Sequence, residues 1–325
     1  MNPIMTLTFL VGATVVCLGL SLPADVGKYS EWLEVRNLGD VVNSPGPPPG
    51  GEDGTPFLSR DGLSLYFVST RPGGYGDLDL YVSTRESRTA DWGPPQNLGP
   101  NVNSADREYW PTLSPDGHRL YFAVTPVVPG VGYGDFDLYV SRRHNKKDDF
   151  GWEPAMPVAE LNTAGFHDVA LVFFEEDESG DLMGYFASAR PTGPDDVLYD
   201  ENLYLTRLQE DGTFAPPTLV PWLNTDDYSE RLATVRRDGL EVFFSRALPT
   251  EQVGLIVSAT RESQTDAWSE PVPVPYPVND GISANMGPRL SFDGTELYFA
   301  SSRKNLFARP FRDVNVATRS KLKGR

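Results

Sequence analysis

Cysteine is nearly absent from this chain of 325 residues: the only one, Cys17, lies in an uncharged N-terminal stretch. The rest of the chain therefore has no disulfide and no cysteine-based metal site, so its stability must come from packing and closure of the fold. Basic residues are also in deficit, since 28 Lys and Arg face 45 Asp and Glu and the formal net charge is −17. A nucleic-acid interface needs a basic stripe, which the sequence lacks, so nucleic acid is not expected as a partner.

Long helices are missing as well, because no long segment shows helical periodicity and no heptad repeats occur. The 30 glycines and 29 prolines instead favour many short strands joined by turns. Hydrophobic residues make up 39% of the chain, which is enough for a sizeable core. The composition therefore predicts an all-β globular protein.

The N-terminal run Ile4–Leu22 has no charged residue and is almost entirely apolar or small. It fits a secretory signal peptide cleaved near Ser21 or Ala24, and it is barely long enough for an uncleaved membrane anchor. We favour the cleaved signal, although no Lys or Arg precedes the run. In either case residues 1–24 predict export to the periplasm or the cell exterior, and no other part of the chain is expected to contact a membrane.

A repeated phrase organises the remainder of the chain. Its longest copies are Leu58–Arg85 (LSRDGLSLYFVSTRPGGYGDLDLYVSTR) and Leu113–Arg142, and three degraded copies follow downstream. Each copy predicts two strands across a turn, a loop and a third strand. In four of the five the turn is an Asp-Gly pair, which matches the twist of a β-hairpin.

A second, proline-rich phrase precedes each copy and is typical of a sheet-edge strand that ends in a polar turn. Its five occurrences begin at Trp32, Trp92, Trp152, Phe214 and Trp268. Three strands and one edge strand make a four-stranded antiparallel sheet, and five such sheets around an axis make a five-bladed β-propeller.

The phase of the repeat predicts how the ring closes. The chain starts with an edge-strand phrase, Trp32–Leu38, and its last third strand is predicted at Asn305–Phe311. Pairing these two segments completes the last blade and removes two unpaired strand edges. We therefore expect a monomeric propeller over residues 31–311, followed by a basic tail, 312–325, that is predicted to be disordered.

The repeat phrase resembles the TolB-type, WD-repeat-like β-propeller repeat, P-x-L-S-x-D-G-x-x-L-Y-F-x-S-x-R followed by a glycine-rich loop and D-L-Y-V-S-x-R. Pro56–Arg85 and Pro111–Arg142 match it most closely, and Pro288–Arg303 matches its first half. The resemblance extends over residues 31–311. It implies an exported bacterial protein that binds proteins or peptides, and it implies no particular activity.

The loops that lead into the innermost strands of a propeller converge at one mouth of the channel. Counting back from the residue that opens each inner strand, taken as Val169 in the third unit, gives the side chains expected there. The residues expected to bind a ligand are Glu108, Tyr109, Trp110, His167, Asp168, Glu230 and Arg231.

Two functions compete at this mouth. The leading interpretation is a non-catalytic binding or scaffold protein that presents the mouth to a protein, peptide or glycan. The alternative is a glycoside hydrolase, since that chemistry needs two carboxyl groups across a sugar and aromatic rings on which the sugar stacks. The candidate carboxylates are Asp53, Glu108, Asp168 and Glu230. The same carboxylates would serve a purely structural role by capping loops and bonding between blades.

The acidic, glycine-rich loops GYGDLDLY and GYGDFDLY can be interpreted in two ways, as calcium-binding loops or as capped turns. Their aspartates, Asp77, Asp79, Asp135 and Asp137, are candidates for binding Ca²⁺ through carboxylate oxygens, but such residues also cap turns without an ion. We favour the second interpretation and expect no cofactor. Arginines that recur after the second strand of four units are expected in packing or in ion pairs between blades: Arg71, Arg190, Arg246 and Arg303.

Overall fold

The computed structural model describes residues 28–44, 52–126, 134–177, 179–193, 200–247, 254–303 and 313–322. The predicted signal peptide or anchor, residues 1–24, lies outside the described residues. Among the residues that are described, no helix has the length and apolar character that a membrane crossing requires.

Twenty β-strands form five four-stranded antiparallel sheets, which are the blades of a five-bladed β-propeller. The first blade contains β2 (Asp53–Leu58), β3 (Ser64–Ser69), β4 (Asp79–Thr84) and β5 (Gln96–Asn97). The second contains β6 (Arg107–Leu113), β7 (Arg119–Thr125), β8 (Asp137–Arg142) and β9 (Met156–Pro157). The third contains β10 (Asp168–Glu175), β11 (Leu182–Ser188), β12 (Asn202–Leu208) and β13 (Thr218–Leu219). The fourth contains β14 (Ser229–Val235), β15 (Glu241–Ala247), β16 (Leu255–Thr260) and β17 (Val272–Pro273). The fifth contains β18 (Asn285–Leu290), β19 (Glu296–Ser301), β20 (Asp313–Thr318) and β1 (Glu34–Asn37). The predicted fold class is therefore confirmed.

The fifth blade joins the two ends of the chain. Strand β1 runs antiparallel to β20, with Glu34 opposite Thr318 and Asn37 opposite Asn315. The predicted closure is thus confirmed, but its partner strand was placed wrongly. The true third strand lies in the segment that was predicted to be a disordered tail, and Asn305–Phe311 lies outside the described residues.

The error has a physical reason in the pattern of apolar residues. Asn305–Phe311 contains apolar residues, but Asp313–Thr318 supplies the buried positions, including Val314 and Val316 at 0% and 1% exposure. Eleven residues separate Ser301 from Asp313, as many as separate Thr125 from Asp137 in the second blade, so the prediction placed the third strand too early in the chain.

The core lies between blades, because the second strand of each sheet is covered on both faces. The paired aromatic residues of these strands are each at most 1% exposed: Tyr66 and Phe67, Tyr121 and Phe122, Tyr185 and Phe186, Phe243 and Phe244, Tyr298 and Phe299. This burial explains why LYF-like runs recur with the period of the blades.

An asparagine in the turn after the fourth strand of every blade bonds to the third strand of that blade; two of these residues are buried and three are partly buried. In the first blade, the N–H of Leu80 donates to the Asn103 side-chain oxygen (2.8 Å), and the Asn103 amide donates to the Leu80 carbonyl oxygen (2.9 Å). The equivalent residues in the other blades are Asn162, Asn224, Asn279 and Asn43. Asn43 bonds to Val314 across the ring closure, so the polar turns that end the edge phrases act as an additional rung of each sheet.

Candidate active site

Each inner strand contains a β-bulge that fixes which residues are equivalent at the mouth of the channel. The register shifts once in every inner strand, and one residue there adopts positive φ. These residues are Thr55, Trp110, Ala170, Leu232 and Gly287. The first residue of the third inner strand is therefore Asp168, which is equivalent to Asp53, and the sequence count for this blade was displaced by two residues.

The four predicted carboxylates, Asp53, Glu108, Asp168 and Glu230, occupy this equivalent position in four blades, and all are 0% exposed. Each accepts a hydrogen bond from a backbone N–H of the loop that enters its blade. The donors are Ser44, Ser104, Thr163 and Thr225. A group with no exposed surface cannot touch a substrate in this arrangement, so these carboxylates anchor the mouth loops here.

Three of these carboxylates form ion pairs with the recurrent arginines. The N–O distances are 2.8 Å for Arg71–Asp53, 2.8 Å for Arg190–Asp168 and 2.9 Å for Arg246–Glu230. In the fifth blade Asn285 replaces the carboxylate, and Arg303 instead pairs with Asp280 at 3.0 Å. These arginines form ion pairs, but Arg71, Arg190 and Arg246 pair within their own blades, whereas pairs between blades had been expected.

Burial raises the pKa values of three of the carboxyl groups. It raises the pKa of Asp168 to about 6 and that of Glu230 to about 7, against the lowering effect of Arg190 and Arg246. Glu108 has no arginine, and burial raises its pKa to about 8. Its carboxyl group is therefore mainly neutral at pH 7.

Aromatic side chains line the floor of the mouth. The ring centroids of Tyr109 and Trp110 are 5.0 Å apart, and Phe136 lies 5.5 and 5.2 Å from these two rings. All three rings are partly buried and pack against apolar residues around the axis, including Leu232 and Met286. The axis is thus packed with side chains at this depth, and the mouth is a surface with an aromatic floor.

A charged cluster stands beside this floor and contains His167, Asp135, Glu201 and Arg231. The two imidazole nitrogens of His167 lie 3.7 Å from a Glu201 oxygen and 3.7 Å from an Asp135 oxygen. Arg231 pairs with the other Glu201 oxygen at 3.1 Å. The His167 ring also meets Phe136 edge-on, with centroids 5.0 Å apart, so the charged cluster and the aromatic floor are continuous.

The charges of this cluster set its protonation. The neighbouring Glu201 carboxylate raises the pKa of His167, and the charge of Asp135 acts in the same direction. Burial alone would raise the pKa of Glu201, but Arg231 and His167 lower it below its ordinary value. The cluster therefore holds an ionised carboxylate next to an imidazole that favours its protonated form.

Sequence reasoning placed His167 and Arg231 at the mouth but missed Glu201 and Phe136. Both belong to loops that follow the second strand of a blade. Their backbone carbonyls accept the N–H groups of Glu230 and Asp168 at the start of the next inner strand, at 2.8 and 2.9 Å. These two residues can be found only from the topology. In an antiparallel blade, the loop after the second strand and the loop before the inner strand lie at the same end of the sheet.

The candidate calcium ligands are engaged with other groups. Asp77 pairs with Arg107 at 2.9 Å, Asp79 accepts N–H groups from Tyr75 and Gly76, and Asp137 accepts the N–H of Gly134. Asp135 belongs to the His167 cluster. Across the described ranges no group of three or more His, Cys, Asp or Glu is placed to hold a metal ion. The expectation of no cofactor remains a prediction.

Comparison with known proteins gives a structural likeness only. No protein-family model and no curated protein matches the sequence. Among solved structures, the chain resembles an α-L-arabinofuranosidase from Lactobacillus brevis, with 16% identity over 83% of this chain and 91% of the other, and a TM-score of 0.59. It also resembles the α-L-arabinofuranosidase PaAbf62A from Podospora anserina, with 13% identity, 90% and 98% coverage and a TM-score of 0.51. For the catalytic domain of the GH62 α-L-arabinofuranosidase from Coprinopsis cinerea the values are 11%, 90%, 97% and 0.53.

These neighbours correct three expectations drawn from the repeat phrase. They are glycoside hydrolases, so the resemblance to TolB-type, WD-repeat-like proteins is wrong. The expectation of a non-catalytic protein- or peptide-binding scaffold depended on that resemblance and is overturned with it. The expectation that the protein is not an enzyme is overturned by the same neighbours. The Asp-Gly hairpins that carried the resemblance suit any antiparallel blade with short turns and are not specific to one family.

Proposed function

We propose that this protein is a glycoside hydrolase-like enzyme that binds a glycan at the channel mouth. The observation that carries the proposal is the His167 cluster, in which two carboxylates flank an imidazole beside an aromatic floor. The likeness to arabinofuranosidases is in the fold alone, so the chemistry has to be argued from the site.

The aromatic floor suits a sugar ring. Tyr109, Trp110 and Phe136 offer partly exposed ring surface that can stack on the C–H face of a sugar. Arg107 and Asp77 at the rim, and the His167 cluster opposite, supply the hydrogen-bonding groups that sugar hydroxyls require. An apolar floor with a polar rim is typical of sites that bind such ligands.

The charged cluster suits glycoside hydrolysis, which needs a proton donor for the leaving oxygen and a carboxylate that activates water. Asp135 is the accessible carboxylate, because its side chain is 81% exposed, and the His167 side chain is 32% exposed. In the proposed step protonated His167 donates its proton to the glycosidic oxygen as the bond to the anomeric carbon breaks. Asp135 accepts a proton from the water that adds to that carbon.

Glu201 and Arg231 are positioning residues in this proposal. Glu201 is nearly buried and favours the protonated form of His167, and Arg231 favours the ionised form of Glu201. The four buried carboxylates of the inner strands would hold the mouth loops in place.

The test is hydrolysis of 4-nitrophenyl α-L-arabinofuranoside and of a panel of 4-nitrophenyl pyranosides. We expect Asp135→Asn and His167→Gln to lower kcat by about 100-fold or more, the usual contribution of a general acid or base. Glu270→Gln, an exposed carboxylate, is the matched control and should keep full activity. No turnover of any substrate by the wild-type protein, or equal rates in all variants, would overturn the proposal.

We also propose that the protein acts after export, with residues 1–24 as its signal peptide or anchor. N-terminal sequencing of protein recovered from the periplasm or medium should give a start near residue 22 or 25. An intact N-terminus on protein confined to the cytoplasm would contradict export.

A further inference from the structure

Glu108 differs from the equivalent carboxylates of the other blades. They are paired with Arg71, Arg190 and Arg246, but the second blade has no arginine there. In the first blade, Ser69 lies opposite Asp53, and Arg71 follows two residues later. In the second blade, Val124 lies opposite Glu108, and the residue two positions later is Pro126. Ser104 donates to one Glu108 oxygen from its N–H at 3.1 Å and its hydroxyl at 2.6 Å.

The second Glu108 oxygen is buried and has no hydrogen-bond donor among the described residues. The group that faces it is the carboxyl of Asp79, from the first blade. Asp79 accepts the N–H of Tyr75 at 2.7 Å, the N–H of Gly76 at 3.1 Å and the Asn97 amide at 3.3 Å. Burial raises the pKa of Asp79, against the lowering effect of its hydrogen bonds with Gly76, Tyr75, Asn97 and Glu108, and the charge of Asp79 in turn opposes ionisation of Glu108.

We propose that Asp79 and Glu108 share one proton and form a latch between the two mouth loops at the junction of the first and second blades. The protonated Glu108 carboxyl donates to the Asp79 carboxylate. Two adjacent buried carboxyl groups without a cation cannot both be ionised without a large penalty, so the proton is the element that joins them. Alkaline pH removes the proton and releases the loops.

The other charged groups around the pair do not replace the proton. Asp106 adds negative charge near Glu108 and so opposes its ionisation. Arg107 is directed to Asp77, and Arg71 to Asp53. Across the described residues no arginine or lysine forms an ion pair with Asp79 or Glu108. Among these contacts, only the shared proton therefore offsets the repulsion between the two carboxyl groups.

The two loops that the latch joins are tightly packed. A Cβ added at Gly76 in the first loop would lie 2.2 Å from the carbonyl oxygen of Asp106 in the second. The second loop leads directly to Arg107, Glu108 and Tyr109, of which Arg107 and Tyr109 belong to the rim and floor of the mouth. Separation of the loops would therefore alter the surface proposed for glycan binding, although the latch itself does not depend on that proposal.

The direction of the pH effect follows from the raised pKa. Glu108 ionises near pH 4.5 when unfolded and near pH 8 when folded, so the folded state holds a proton that the unfolded state has lost. Stability therefore falls as pH rises from about 4.5 to about 8 and falls no further, from this pair, above that range. Glu108→Gln keeps a hydrogen-bond donor toward Asp79 without an ionisable group and should remove this dependence.

The experiment is urea unfolding of the full chain from pH 5 to pH 9, with the infrared band of protonated carboxyl groups recorded at pH 7. At pH 9 we expect the folding equilibrium constant of Glu108→Gln to exceed that of the wild type at least tenfold, with no such gain at pH 5. Glu230→Gln, the matched control, removes the partner of Arg246 and should be destabilised instead. At pH 7 the wild-type infrared band has contributions from Glu108 and from Glu230, whose pKa is about 7, so the band should weaken more in Glu108→Gln than in Glu230→Gln.

Three results would overturn the latch. The first is a wild-type protein with no protonated carboxyl band at pH 7. The second is an equal pH dependence of stability in the wild type and Glu108→Gln. The third is stability at pH 8 that depends on the choice of Na⁺, K⁺ or Ca²⁺ at constant ionic strength, since a bound cation would then neutralise the pair. Absence of the protonated carboxyl band in the wild type would overturn the latch even if the variant fails to fold.

Discussion

Asn43 provides a direct test of ring closure. Its side chain, 1% exposed, accepts the Val314 N–H at 2.7 Å and donates to the Val314 carbonyl oxygen at 3.1 Å. Asn43→Ala leaves the N–H of fully buried Val314 without a partner, whereas the Val314 carbonyl oxygen still accepts the N–H of Leu38 at 3.1 Å. An unsatisfied buried group costs about 1–3 kcal/mol, so we expect the free energy of unfolding to fall by about 1–3 kcal/mol.

The measurement is urea unfolding followed by tryptophan fluorescence, with Asn103→Ala as the matched control. Asn103 makes the same pair of bonds to Leu80 within one continuous part of the chain, so its loss does not involve closure. If the N-terminal strand pairs with β20 in solution, the two variants should lose similar stability. A neutral Asn43→Ala beside a destabilised Asn103→Ala would refute the closure.

Three further outcomes follow from the packing and charges at the mouth. Arg190→Met leaves the Asp168 carboxylate buried without a cation and should lower the free energy of unfolding by about 3–5 kcal/mol at pH 8; the loss should shrink at pH 5, where Asp168, with a pKa of about 6, already binds a proton. Gly76→Ala forces a Cβ to within 2.2 Å of a backbone oxygen, and thermal unfolding should show a loss of about 1–3 kcal/mol; an unchanged melting temperature would contradict the packing of the two loops. In an NMR titration His167 should show a pKa above 6.5 in the wild type that falls in Glu201→Gln; equal values would remove Glu201 from its positioning role.

The fold was largely predictable because the blades repeat. Each blade needs a hairpin turn, a second strand whose aromatic residues are buried on both faces, and an edge strand. These requirements are visible in the sequence as features such as Asp61–Gly62 and Tyr66–Phe67. Closure followed from the phase of the repeat. The position of the last strand was predicted wrongly, because Asn305–Phe311 (NLFARPF) is mostly apolar but does not alternate, whereas Asp313–Arg319 (DVNVATR) follows the third-strand phrase D-L-Y-V-S-x-R at Asp313, Val316 and Arg319.

The site was less predictable, because equivalence in the inner strands depends on a bulge that leaves no clear mark in the sequence. Without the proline that opens other inner strands, the third blade was counted from Val169 when its equivalent residue is Leu171, which misplaced Asp168 by two positions. Burial of the four carboxylates could not be predicted from the sequence either. An arginine after the second strand indicates an ion pair only when the fold shows that residues such as Asp53 and Arg71 are in contact.

The central claim is that a glycan is cleaved at the mouth with Asp135 as an accessible catalytic carboxylate. The most direct measurement is the steady-state release of 4-nitrophenol from the α-L-arabinofuranoside by equal concentrations of folded wild type and Asp135→Asn. The account predicts turnover by the wild type and a loss of about 100-fold or more in the variant. Identical rates for the two proteins, or no release by the wild type while the pyranosides also stay intact, would contradict it.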